Sequence, residues 1–127
     1  MEIEVVYGQV VAKANHYLTV PGRNGRRIIK DDRIRAYERS FVEQCRVYRN
    51  RHISSRFRLF VRVFHSSPRY DLDNALKTLL DCLELSGAIV NDRLCIEIQA
   101  EKHIDKNHPR IEFCIEEVNK QKQINFV

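Results

Sequence analysis

The feature that most constrains this chain is a change of hydrophobic period between Arg56 and Leu83. Phe57, Leu59, Val61 and Val63 alternate with Arg56, Arg58, Phe60, Arg62 and Phe64, the period of two that a β-strand shows when one face is buried and the other is rich in arginine. Ser66, Ser67 and Pro68 break that strand near His65, and Leu72, Leu76, Leu79, Leu80 and Leu83 then mark an amphipathic helix. Gly87 suits the cap that ends it.

The flanking sequence reads in the same terms. Ile3, Val5 and Tyr7 alternate with polar residues within 2–12, which predicts a first strand. Asn15, Pro21, Gly22, Asn24 and Gly25, set among Lys13, Arg23, Arg26, Arg27 and Lys30, predict a basic, mobile loop over 13–30. Ile34, Tyr37, Phe41, Cys45 and Tyr48 predict a helix from Asp31 or Asp32 to about Asn50, with the aspartates favouring its N-terminus. After a turn at Asn91-Asp92, Leu94, Ile96, Ile98 and Ala100 predict a third strand. Ile111, Phe113 and Ile115 predict a last one beyond the loop 105–109, and 119–127 is a polar tail. The expected fold is one small α/β (α+β) domain over 1–127, order β-α-β-α-β-β, with helices packed on a mixed sheet.

At 127 residues the chain has room for one core and none for two lobes holding a small-molecule cofactor between them. No apolar stretch approaches the ~18 residues of a membrane span. The N-terminus MEIEVVYGQVV carries acids where a signal peptide carries Lys or Arg, which predicts a cytoplasmic protein without membrane attachment. Cys45, Cys82, Cys95 and Cys114 sit in apolar periodic segments without a C-x-x-C pair, as reduced core thiols do, and no zinc signature is present. The net charge of +5 conceals an asymmetry: residues 13–69 carry a surplus of 11 positive charges, and the remainder is acidic. Such a concentration predicts a polyanionic partner bound in a salt-sensitive way, against the plainer alternative of a solvated helix face and loop.

The densest chemical signal is Tyr70-Asp71-Leu72-Asp73-Asn74, followed by Lys77, Asp81 and Asp92. Asp71 and Asp73 stand where strand gives way to helix. If the turn carrying Asp92 returns to the same sheet edge, three carboxylates supply oxygen ligands for Mg²⁺ and leave positions open for water and phosphate. Lys77, one turn after Asp73, can hold a scissile phosphate or its transition-state charge, and Asn74 can orient a ligand carboxylate. Each residue also has a plainer role: Asp71 or Asp73 as a helix cap, Lys77 as the i,i+4 partner of Asp73, Asp92 as a turn former, Asp81 as a surface acid or a partner for Lys77.

The ordered run Arg69-Tyr70-Asp71-Leu72-Asp73-Asn74, Lys77, Asp81, Leu83, Gly87 and Asp92 resembles the RusA family of Holliday-junction resolvases, with a weaker likeness in Asn15-His16-Tyr17 and in 34–48. The resemblance implies a homodimeric, Mg²⁺- or Mn²⁺-dependent endonuclease that cuts four-way DNA junctions symmetrically in recombination and repair, often encoded by prophages. It places the metal-binding carboxylates on Asp71, Asp73 and Asp92 and the catalytic lysine on Lys77. Two positions depart from the family: Asn91 stands where many members have an acid, and Tyr70 where a basic residue is common. Expected DNA contacts are Lys13, Asn15, Arg23, Arg26, Arg27, Lys30, Arg69 and Asn74, together with the arginine face of the Arg56–Phe64 strand. A two-fold dimer suits a two-fold junction. The competing expectations are a non-catalytic nucleic-acid-binding module and a nuclease for another branched DNA or RNA.

Overall fold

The computed structural model describes residues 2–12 and 17–118. The elements are β1 (Glu4–Tyr7), β2 (Tyr17–Gly22), β3 (Gly25–Lys30), α1 (Asp32–Gln44), β4 (Phe57–His65), α2 (Leu72–Leu85), a 3₁₀ turn (Asp92–Leu94), β5 (Cys95–Ile104) and β6 (Arg110–Glu117). Four strands form a mixed sheet in the order β1-β6-β4-β5, in which β4 and β5 run parallel and the other pairs antiparallel. A parallel pair needs a crossover, and α2 supplies it. The architecture is the expected α+β domain with one addition.

That addition lies in the stretch read as a loop. Tyr17–Gly22 and Gly25–Lys30 pair as an antiparallel hairpin with Gly22 opposite Gly25. The turn formers Asn24 and Gly25 thus close a hairpin, with Gly25 at φ +114, where L side chains are strained. Lys13 to His16 and the tail 119–127 lie outside the described residues.

The alternation of β4 places Phe57, Leu59, Val61 and Val63 in the core with Ile111, Phe113 and Ile115 of β6 and Val6 of β1. α1 covers them with Ile34, Tyr37 and Phe41, and α2 with Ala75, Leu79, Cys82 and Leu83, so both helices lie on one face of the sheet. All four cysteines are free thiols; Cys45 and Cys82 are buried, and burial followed by the nearby Glu4 pushes the Cys45 thiol up to about 12.

α1 ends at Gln44, six residues short of the expected Asn50. The buried Glu4 carboxylate accepts the N–H groups of Val47 (2.7 Å) and Tyr48 (3.3 Å), so these donors leave the helix while Tyr48 stays in the core. The apolar period therefore outlasts the helix. The Tyr48 hydroxyl accepts the Ile115 N–H at 3.2 Å and donates to the Glu2 carbonyl at 2.5 Å, tying this turn to both chain ends.

Gly87, after α2, adopts φ +73, and a Cβ there would lie 2.9 Å from Asn50 Oδ1 and 3.4 Å from Asn50 Cα. Gly87→Ala is expected to lower unfolding free energy by about 1–3 kcal/mol, read as a drop in the urea midpoint at unchanged slope. An unchanged midpoint would show that the turn yields freely.

Candidate functional site

β4 ends at His65, and the break Ser66-Ser67-Pro68 releases the chain over the sheet end before α2 begins. Tyr70 folds back to stack on the buried His65 ring (centroids 5.3 Å apart, 17° between planes). The Arg69 guanidinium lies over Tyr70 at 5.0 Å and donates to its hydroxyl at 3.0 Å, which holds the phenol below its ordinary range. Lys102 Nζ donates to the Pro68 carbonyl at 2.9 Å.

Gln9 fixes the base of this platform. Its Oε1 accepts the Ser66 N–H at 2.7 Å, which orients the amide so that Nε2 donates to His65 Nδ1 at 3.0 Å. The neutral imidazole then carries its proton on Nε2, a buried atom without a hydrogen-bond partner among the described residues. Burial, then Lys102, lowers the His65 pKa, and Asp71 opposes them.

Asp71 is the N-cap residue of α2, in extended conformation, yet its side chain makes no capping hydrogen bond. The contrast with α1 is direct: Asp31 Oδ1 accepts the N–H groups of Arg33 (3.0 Å) and Ile34 (3.1 Å). Among the described residues, the exposed Asp71 carboxylate receives only a long contact from Asn74 Nδ2, at 3.5 Å. Asp73, in the first turn, and Lys77, one turn on, are both exposed. The structure thus brings Asp71, Asp73, Asn74 and Lys77 to one helix entrance and assigns neither Asp71 oxygen to capping.

Asp92 is elsewhere. Cys95 is in register with Phe57, the first residue of β4, whereas Asp71 follows His65, the last. The Asp92 N–H donates to Glu84 Oε1 (2.6 Å) beside the final turn of α2. A helix of 14 residues spans about 20 Å, so Asp92 and the Asp71–Asp73 pair stand towards opposite ends of it. The expectation that one chain returns Asp92 to the same edge is not met, because a parallel crossover delivers the chain to the far end of the sheet. Among the described residues, no three His, Cys, Asp or Glu side chains gather closely enough to hold a metal ion.

The two departures noted in the motif have local structural roles. Tyr70 supplies the stack on His65, and Asn91 Oδ1 accepts the Arg93 N–H at 2.8 Å, capping the 3₁₀ turn. Asp81 is half-buried on α2 and has an interaction partner.

The arginine face of the Arg56–Phe64 segment is partly engaged within the sheet, while Arg56 and Arg62 remain exposed. Arg58 pairs with Glu97 at 2.8 Å and with Glu116 at 3.1 Å, and Arg62 with Glu101 at 3.3 Å, so acids from β5 and β6 offset the charge of these two arginines. Of the other expected DNA contacts, Arg23 and Arg26 are exposed beside the hairpin turn, Arg27 and Lys30 lie on β3, and Lys13 and Asn15 fall outside the described residues. Arg35, Arg39 and Arg46 are exposed and have no acidic partner within ion-pair distance among the described residues. They belong to the basic surplus without having been singled out. The i,i+4 spacing of Arg35 and Arg39, on the helix face opposite Phe41, is the signal that identifies them.

Residues 7–116 match the family described as endodeoxyribonuclease RusA. The chain belongs to the RusA family. The match runs from the end of β1 into β6 and so includes the hairpin, both helices and every member of the α2 entrance. This RusA-family chain has no match among curated proteins. No helix among its described residues is long and apolar enough to cross a membrane.

Proposed function

We propose that this protein is a cytoplasmic, divalent-metal-dependent, structure-selective endodeoxyribonuclease that resolves Holliday junctions by paired symmetric nicks in recombination and repair, acting as a homodimer. The observation that carries the reading is the Asp71 carboxylate, held at a helix N-terminus without capping it, beside Asp73 and Lys77 in a chain of an endodeoxyribonuclease family. Two exposed carboxylates fit a hard cation such as Mg²⁺ or Mn²⁺, which is commonly bound by one or two carboxylates with waters and phosphate oxygens. The chemistry supplied by such an ion when bound is polarisation of a phosphoryl oxygen and activation of water.

The chain's own residues do the rest. Lys77 faces the charge that develops on the scissile phosphate, Asn74 restrains Asp71, and the free N–H groups of the first turn of α2 favour an approaching phosphate. Asp92 joins this set only from a second copy, because α2 separates it from Asp71 and Asp73 within one chain. A two-fold dimer with antiparallel α2 helices sets the Asp92 end of one protomer towards the Asp71–Asp73 end of its partner. Arg35, Arg39 and Arg46, in the same helical layer as the site, hold the backbone of a junction arm.

The test is nicking of a synthetic four-way junction in Mg²⁺ and in Mn²⁺. Wild type is expected to give paired nicks, and Asp73→Asn to lose at least about 10³-fold in rate, equivalent to about 4 kcal/mol of transition-state stabilisation. Absence of product with wild type in either metal, or equal rates for the two proteins, would reject catalysis at this site. The distance of Asp92 from the pair favours one second reading, a non-catalytic junction-binding module. That module would bind junctions in a salt-dependent way and yield no product at any metal concentration.

A further inference from the structure

β5 is the longest strand, with 10 residues, and it ends the sheet, so one side of its backbone has no strand partner among the described residues. Edges of this length are usually blunted by proline, charged side chains, a bulge or a covering segment, and the one charge on the helix-facing row of β5, Lys102, is turned to the Pro68 carbonyl of its own chain at 2.9 Å. β5 contains no proline, and its only irregularity lies at its start, opposite Phe57 and Arg58.

The row of β5 that faces the helices is Ile98, Ala100, Lys102 and Ile104, in register with Leu59, Val61, Val63 and His65 of β4, and Ile96 is the extra residue of the bulge that precedes it. Ile98 is 38% and Ile104 48% exposed, which a strand covered by its crossover helix would not show. Leu76 and Leu80 lie half-buried along α2, on the flank away from Thr78, whose hydroxyl bonds the Val11 carbonyl on the β1 side. Strand row and helix flank thus form one apolar ledge beside an open backbone edge.

We infer that this ledge is where a second copy of the chain docks, β5 against β5 and antiparallel about a two-fold axis at Ala100, with the two α2 helices side by side. Pairing strands about that residue sets Ile96 against the partner's Ile104, and Ile98 against the aliphatic stem of the partner's Lys102. On the other sheet face it sets Glu97 against the partner's His103 and Gln99 against the partner's Glu101. No like charges meet directly, and the smallest side chain of the row meets itself on the axis, so the surface complements its own copy as an isologous contact requires. A polyanion does not fit here: the row holds one lysine, and the opposite face of β5 holds Glu97 and Glu101. The inference rests on the homodimer proposed above and assigns its interface.

Sedimentation of the full chain at micromolar concentration tests it, with far-UV circular dichroism to check folding. Wild type is expected to sediment as a dimer. Ile98→Lys, and independently the more exposed Ile104→Lys, are expected to weaken self-association by at least about 100-fold while remaining folded. Ile3→Lys, in the groove that Ile3, Phe60 and Cys114 line on the opposite sheet face, is expected to remain dimeric. A dimeric wild type whose Ile98→Lys and Ile104→Lys variants both stay dimeric would overturn the interface and leave the homodimer standing. A wild type that is monomeric with and without junction DNA would overturn both.

Discussion

Asp73→Asn and Asp92→Asn chains, each inactive alone, are expected to recover junction nicking when mixed and allowed to exchange protomers. The reason is the length of α2. One chain carries Asp71 and Asp73 where α2 begins and Asp92 beside its last turn, and 14 residues of helix keep them apart. In a mixed dimer, one site takes Asp73 from the Asp92→Asn chain and Asp92 from the Asp73→Asn chain and is therefore intact, while the other site lacks both. Random exchange makes half the dimers mixed, so about a quarter of the wild-type number of sites returns, and each active dimer cuts one strand only. Paired nicks would stay rare while single nicks accumulate. No recovery in the mixture, with wild type active, would place Asp92 outside the catalytic set or return it to its own chain's site through a movement of the 3₁₀ turn.

Phe41→Ala is expected to be the most damaging single truncation in the core. Phe41 is fully buried, lies nearly parallel to Phe113 of β6 at 5.9 Å between centroids, and meets Tyr37 at 6.4 Å. It is the side chain through which α1 grips the centre of the sheet. Its removal is expected to cost about 3–5 kcal/mol, the usual range for a buried aromatic that leaves a cavity. Against a total stability of roughly 5–15 kcal/mol for a small domain, that is a large share. Urea unfolding should show the midpoint fall with little change of slope. A loss below about 1 kcal/mol would mean that Tyr37 and Tyr48 close over the space, and that α1 is held mainly by its polar ties. Those ties are the Asp31 cap and the Gln44 side chain, which accepts the Tyr7 N–H (2.8 Å) and donates to the Tyr7 carbonyl (3.0 Å).

The parts of this fold legible in the sequence are those whose pattern comes from one buried face. β4 reads correctly because every second residue from Phe57 to Val63 is in the core, and α2 because its leucines line a stripe. β2 and β3 were hidden because arginines and turn formers mask any alternation over 17–30, although Asn24-Gly25 is a strong hairpin signal. The early end of α1 was illegible because the competing acceptor, Glu4, is more than forty residues away in sequence. Distance explains Arg58 and Arg62 as well: offsetting their charge needs Glu97, Glu101 and Glu116 from strands whose register the chain does not announce. For the candidate site, Asp71, Asp73, Asn74 and Lys77 were legible as a local run. Asp92 was not, since which end of the sheet it occupies follows from the parallel sense of β4 and β5 and not from spacing.

Among the described residues β1 has one strand neighbour, β6, the last element described. A nascent polypeptide leaving a ribosome therefore holds β1 without its mate until about a hundred further residues have been synthesised, the gap across which Val6 waits for Ile111. Such a non-local closure predicts slow, late locking of the sheet and a need to shield the waiting segment meanwhile. It also brings residues 2 and 118 to the same side of the sheet, so that joining them through a short glycine-serine bridge and reopening the chain at the exposed residues 106–108 should give a circular permutant of the same fold.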